Sequence, residues 1–412
     1  MEAFKGSRKA PLRRVETASG GNGILKSSNK AEGSLFASMQ TRIIKKWREF
    51  NSLENEWNGM LRSSQADSVF LTWEWLTAWI ASAGKECEPF IVTVRDQAGR
   101  LVGAAPLYCS SSILGGCIHY RTLLPMADYA TGFEYPDWIV TGADQAGVSQ
   151  AIATALNQAR ADWDLLWMAR LAGWSGALKR ITSACESAGL LWRSREREFS
   201  LIDLPASMEA FERSLSSNRR QQLRRKRRRL QREKAVVTTR CQSHDELPEY
   251  LEALFALHHL RWAPLGDPGC FIRKPAEAAF YSQFLPMALD AGWLAMYALR
   301  HQGEIRAVQV GYNYGGMFHQ MQEGFDPQFY PGIGNVLRAE VIQACIDEGI
   351  SAYDFLGGHT EHKRRWNAHL RIGFDLLIGN ANLKSRLLQT NQIWPTGRFL
   401  RLAGRDRRPG ER

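Results

Sequence analysis

A chain of 412 residues with 44% hydrophobic residues and 14 tryptophans can bury large cores and predicts two domains. No run approaches ~20 apolar residues, which excludes a membrane-spanning helix, and the basic N-terminus lacks the apolar stretch of a secretory signal. The net charge of +11 is concentrated: residues 1–40 carry +4, 219–234 carry +9 and 398–412 carry +4, so the remainder stands at −6, which weakens any reading of basicity as a nucleic-acid surface.

In chain order, residues 1–40 are rich in Gly, Ser, Lys and Asn and read as a disordered basic leader. Residues 47–61 predict a helix, and 69–80 (VFLTWEWLTAWI) a strongly apolar one whose aromatic stripe belongs in a core. Residues 90–108 form a hairpin around Asp-Gln-Ala-Gly, and 294–312 a second around His-Gln-Gly. Each hairpin is followed by a helix and an aromatic-Asp-apolar strand: 146–161 with 163–168, then 336–348 with 353–356. The pattern predicts a duplicated α/β unit in which only the second copy carries the glycine-rich turn at 331–335. Between the copies, 201–204 is a strand, and Ser216-Ser217 opens an Arg-rich helix with a thin apolar line through Leu223 and Leu230. That helix, Arg219–Lys234, has three readings: a solvated face, a docking surface for an anionic substrate, membrane or nucleic acid, and a nuclear address. Residues 386–412 form a basic tail.

The most informative stretch is 322–366, read as strand, turn, helix, strand and polar loop. Pro331-Gly332-Ile333-Gly334-Asn335 uncovers backbone amides where the helix dipole is positive, a place suited to a phosphate, although two glycines also simply make a tight turn. Seven scattered cysteines without a CxxC pair suggest reduced thiols and a cytoplasmic protein, with no metal site.

The ordered series is an Arg-rich helix after Ser-Ser, Leu257-His258-His259-Leu260-Arg261-Trp262, and Gly324-Phe325-Asp326-Pro327. Tyr330-Pro331-Gly332 and Tyr353-Asp354-Phe355-Leu356-Gly357 follow, then Lys363 and Trp366. This series resembles the bacterial GNAT-type acyltransferases of the CelD-like group, named for cellulose biosynthesis. These are similar in build to the Fem-type peptidoglycan aminoacyltransferases with tandem GNAT domains. The resemblance implies a mixed α/β fold: a degenerate GNAT-like domain at 41–197 and a catalytic one at 198–385, whose sheet splays beside the phosphate-binding turn. It implies acyl transfer from acetyl-CoA or another acyl-CoA to an amine or hydroxyl, in polysaccharide or cell-envelope metabolism.

Direct transfer from a thioester needs a donor clamp, amides that polarise the carbonyl, a base and an acid. Gly332, Ile333, Gly334, Asn335 and Val336 are the candidate clamp. Glu323, Asp354, His359, Lys363 and Tyr330 are candidates for proton transfer, while Arg261, Trp262 and Trp366 would line the acceptor side. His362 stands where the family pattern leads one to expect a tyrosine, which leaves the general acid open. Two alternatives remain: an aminoacyl-tRNA-dependent transferase of the Fem type, and a non-catalytic GNAT-like binding module.

Overall fold

The computed structural model describes residues 39–386 except 115–117, 129 and 383; residues 1–38 of the leader and nearly all of the basic tail lie outside the described residues, and Gln40, expected in the leader, opens the first strand. The first half runs β1 (Gln40–Ile44), α1 (Trp47–Asn51), α2 (Glu54–Arg62), α3 (Trp73–Trp79), β2 (Glu88–Pro89), β3 (Ile91–Arg95), β4 (Leu101–Ala105) and β5 (Leu107–Leu114). It continues with β6 (Ile118–Pro125), β7 (Ile139–Val140), α4 (Gln145–Gln158), β8 (Leu165–Leu171), α5 (Ala177–Ser187) and β9 (Leu191–Asp203). The second half runs α6 (Met208–Ser214), α7 (Ser217–Lys234), β10 (Val237–Arg240), α8 (Leu247–Trp262), α9 (Cys270–Arg273), α10 (Pro275–Asp290), β11 (Leu294–His301) and β12 (Glu304–Tyr314). It ends with β13 (Met317–Phe325), α11 (Ile333–Asp347), β14 (Ala352–Gly357), α12 (Glu361–Arg364) and β15 (His369–Gly379).

Eleven strands form one mixed sheet in the order β10-β11-β12-β13-β14-β9-β15-β8-β6-β5-β2, and β1-β3-β4-β7 form a small second sheet. The repeat is visible in the strand directions. β6 pairs parallel with β8 across α4, and β13 pairs parallel with β14 across α11. The two copies exchange their last strands: β15 pairs with β8 of the first, β9 pairs with β14 of the second, and β9 and β15 pair with each other through eleven residue pairs. The boundary expected at 197/198 falls inside β9, so the sheet runs unbroken through it. In the first copy, Pro106 breaks the second hairpin strand into β4 and β5. β4 then stays in the small sheet while β5 enters the large one.

Two predicted helices are interrupted. Ser52 turns its hydroxyl onto Glu49 O at 2.7 Å, competing with the helical ladder and dividing 47–61 into α1 and α2. Thr72 divides the apolar run 69–80: its Oγ1 donates to Val69 O at 2.8 Å and accepts from Trp75 N at 3.3 Å, capping α3 after a short 3-10 turn. Among the described residues no helix is long and apolar enough to cross a membrane.

The sheet positions the site by splaying. β13 and β14 pair only at Met317–Ala352, Phe318–Tyr353 and His319–Asp354, and then separate. Phe318 and Tyr353 turn toward the core under α11. Their neighbours His319 and Asp354 therefore project from the other face, because side chains alternate along a strand. A bulge in β13 between the pairs Val310–Gln322 and Gly311–Gln320 widens the wedge. Helix α8 lies close on the opposite face because Gly324 has no side chain; a Cβ there would sit 2.5 Å from His258 N.

Candidate active site

Helix α11 begins three residues earlier than its apolar periodicity suggests, with Gly332 left-handed (φ 86°) ahead of Ile333. Gly334 therefore lies within the first helical turn, its Cα hydrogens against the ring of Phe325. No side chain caps this helix; the Asn335 amide reaches back to Gly332 O at 3.0 Å. Cations come instead from α7, whose start at Ser216-Ser217 matches the sequence reading. Lys226 Nζ donates to Pro331 O at 3.1 Å, and Arg219 Nη2 to Asn335 Oδ1 at 2.8 Å. The entrance of α11 thus combines a positive helix end with one lysine and one arginine, which together can hold a diphosphate.

Behind this entrance, a buried polar layer fills the space between α11 and the splayed strands. Glu323, 5% exposed, pairs one oxygen with Arg338 and the other with Arg261 Nη1 at 2.9 Å. Arg338, 2% exposed, lies over the rings of Phe355 and Trp366, and its Nη1 meets His362 Nε2 at 3.1 Å. Burial pushes the Glu323 carboxyl upward, but Arg338 and Arg261 outweigh it and hold it below the ordinary carboxylate range. Burial and the Arg338 charge bring His362 down to about 4, so its ring is neutral and its Nε2 can accept from Arg338. Gln309 Nε2 donates to Tyr353 OH at 2.8 Å, and that hydroxyl donates to Gln320 Oε1 at 2.9 Å.

A second group of titratable residues lies where the halves meet. Asp354, 2% exposed, accepts from Tyr135 OH at 2.7 Å and from its own Leu356 amide at 2.8 Å. His319 Nδ1 is 3.5 Å from the same Asp354 oxygen that Tyr135 holds. Lys363 gathers the carbonyls of Phe355 (2.9 Å), Gly357 (2.5 Å) and Gly358 (3.0 Å) at the end of β14, and burial lowers it to about 8. Tyr135, Arg170 and Leu356 here all hold left-handed backbone (φ 58°, 68° and 60°), conformations costly for these residue types.

The sequence candidates therefore divide between two centres. Glu323, Arg261 and the 332–336 turn belong to the α11 side, Asp354 to the junction, and Lys363 closes the strand between them. His359 is half-buried, its Nδ1 2.7 Å from Ser200 Oγ. Trp366 is fully buried beneath Arg219 and Arg338, so it supports those guanidiniums and is closed to solvent. Trp262 ends α8 under the Arg261 guanidinium. Tyr330 gives its carbonyl to the Ile333 amide at 3.1 Å, and its hydroxyl bonds neither Glu323 nor Asp354. Sequence reasoning missed Arg338, His319 and Tyr135 as site residues, and it offered Arg219 and Lys226 only as part of a helix open to an anionic partner, without placing them at the entrance of α11. Among the three missed, only Arg338 carries a legible signal: it lies in register with Ile342 and Cys345 on the buried stripe.

Residues 217–364, just over a third of the chain, match the family model described as an acetyltransferase (GNAT) domain. No curated protein matches. Among solved structures, the chain is similar to FemX, at TM-score 0.57 and 10% identity over 85% of this chain and 99% of that one. It is also similar to the C-terminal domain (DUF2156) of a protein described as a lysylphosphatidylglycerol synthetase from Agrobacterium fabrum. That match has TM-score 0.50 and 12% identity over 82% of this chain and 95% of that one. At such identities the likeness is one of fold. The stretch that matches the GNAT model contains α7, the splayed β13–β14 pair and α11 of this mixed α/β chain.

Proposed function

We propose that the protein transfers an acyl group from acyl-CoA, acetyl-CoA in the simplest case, directly to an amine or hydroxyl acceptor. One observation carries this reading: strands β13 and β14 part beside an uncapped helix entrance flanked by Arg219 and Lys226. A diphosphate held at that entrance lets a pantetheine arm run into the wedge, edge-on to the unpaired backbone of β13, and brings the thioester toward the last paired residues, His319 and Asp354. There the strand amides can polarise its carbonyl. The acceptor nitrogen or oxygen attacks, and the thiolate leaves without a covalent enzyme intermediate. Glu323 serves in this reading as a positioning residue. Both its oxygens are held by guanidiniums, and a carboxyl kept below its ordinary range is a weak base. Lys363 stiffens the end of β14. Cytoplasmic polysaccharide or envelope metabolism is the setting that the CelD-like resemblance suggests.

The test is a thermal-shift titration with CoA, acetyl-CoA and a long-chain acyl-CoA on the wild type and on Arg219→Glu/Lys226→Glu. A saturable shift, reduced at least tenfold in apparent affinity by the double variant, is expected. No shift with any thioester in a folded protein would sink the reading.

A second reading has its own support. A groove of about 490 Å³ runs along α7 and is lined by Arg224, Arg227 and Arg228, which suits a donor carried on tRNA. In that case charged tRNA is consumed, and binding weakens steeply with salt because phosphate contacts release counterions.

A further inference from the structure

The cavity at the apex of the wedge belongs to none of the donor-binding parts. It has a volume of about 250 Å³ and opens on the sheet face away from α11, between the loop at 65–68, the segment 135–137, Trp174 and the start of β13. Asp67, Asp137 and Asp354 line it, and no Lys or Arg does. Asp137, 5% exposed, gives one oxygen to Arg180 at 2.5 Å, while its Oδ2 is buried without a hydrogen-bond partner. His319, 6% exposed, also lines the cavity, and its Nδ1 is likewise buried without a hydrogen-bond partner, 3.5 Å from Asp354. Two polar groups left unsatisfied in one small acidic cavity are costly unless something polar binds there. The walls are partly aromatic: Tyr135, Tyr314 and Trp174, the last 40% exposed at the rim with Arg371 stacked 3.5 Å above it.

We propose that this cavity is the acceptor site, that it takes a cationic amine, and that His319 is the catalytic base that removes the amine's proton. The proposal rests on the donor reading above, because that reading puts the thioester at the apex. His319 and Asp354 are the last residue pair before the strands part, so an acceptor in the cavity meets the acyl carbon there from the other side of the sheet. The carboxylates of Asp67 and Asp137 draw in an ammonium, and the aromatic walls favour it over an anion. The unpartnered Nδ1 is the nitrogen of His319 that takes a proton, and Asp354, fixed by the Tyr135 hydroxyl and 3.5 Å away, stabilises the imidazolium that forms. Tyr135 and Asp354 are positioning residues. In the step, the ammonium gives one proton to the His319 imidazole. The free amine nitrogen bonds to the acyl carbon, the carbon–sulfur bond breaks, and the amide nitrogen sheds its second proton as the thiolate is protonated. Its size limits the cavity to a small amine or the end of a longer one.

The experiment compares ethanolamine, putrescine and glucosamine with ethylene glycol, butanediol and glucose. Binding is read by the melting temperature, and transfer from acetyl-CoA by thiol release. At least one amine is expected to bind and react while its hydroxyl twin does neither. Asp67→Asn and Asp137→Asn should raise the acceptor KM about tenfold. His319→Gln should lower kcat about 100-fold with acceptor KM within threefold, and imidazole should restore activity to His319→Gly. Retention of the CoA-induced shift shows that each variant is folded. Amines that bind no better than their hydroxyl twins, or a His319→Gln enzyme within threefold of wild-type kcat, overturn the proposal. If CoA produces no shift, the donor reading fails while the amine titrations still decide the cavity.

Discussion

Breaking the Glu323–Arg338 pair should cost far more than removing it whole. Arg338 is 2% exposed and Glu323 5%, so either charge left alone stays buried. Truncating one partner of a buried pair typically costs about 3–5 kcal/mol, whereas replacing both by apolar residues of similar size is often near neutral. Here the single losses are partly cushioned. Arg338→Met leaves Glu323 with Arg261 at 2.9 Å, and Glu323→Leu leaves Arg338 with His362 and two aromatic rings. Each single variant should therefore lose ~3 kcal/mol, and the double variant no more than ~2 kcal/mol, a coupling of ~4 kcal/mol. Urea unfolding of all four proteins measures this, with an unchanged slope required of each. The pH dependence has a definite sign. Glu323 has a folded pKa below its unfolded value, so its contribution is full above the unfolded pKa near 4.5 and is lost as pH falls through the lower folded one. Wild type should lose more stability in that acid range than the double variant. Single losses under ~1 kcal/mol, or a double loss equal to their sum, would refute the argument.

Gly324→Ala places a Cβ 2.5 Å from His258 N and 2.7 Å from Leu257 C, backbone atoms that cannot step aside. It should cost ~1–3 kcal/mol by urea unfolding, and an alanine variant as stable as wild type would contradict the packing. Tyr135→Phe removes the 2.7 Å bond to buried Asp354 and should lose ~1–2 kcal/mol in the same assay. Lys363→Met strips the carbonyls at the end of β14 of their shared donor, for a loss of ~1–3 kcal/mol at neutral pH. Burial lowers Lys363 from 10.5 to about 8, so between these values the unfolded chain binds more protons and wild-type stability rises with pH. A Lys363→Met variant should lack that rise, and an identical rise in both proteins would remove Lys363 as its source.

What the sequence revealed was local. Ser216 before a run of arginines announced α7, and His-Gln-Gly announced the β11–β12 hairpin. The wedge between β13 and β14 was expected from resemblance and is present in the strand register. What escaped notice was set by distance along the chain. The exchange of β9 and β15 joins residues 168 to 188 apart, and no periodicity encodes such a pairing. Tyr135 lies in an irregular buried segment without alternation, yet it reaches Asp354 from 219 residues away. His319 looks like one more polar residue of a strand until the partner strand shows which carboxylate it faces. Glu323 could be found but not interpreted, because its two guanidiniums come from α8 and α11 and only the fold brings them together.

The claim on which the rest depends is that the entrance of α11, with Arg219 and Lys226, holds the donor's diphosphate. Calorimetric titration of CoA and of pantetheine, which lacks the diphosphate, tests it directly on wild type and on Arg219→Glu/Lys226→Glu. The account predicts that CoA binds wild type at least tenfold more tightly than pantetheine does, and that the double variant erases that difference while leaving pantetheine unchanged. Equal affinity for the two ligands, or a double variant that binds CoA as wild type does, would contradict it.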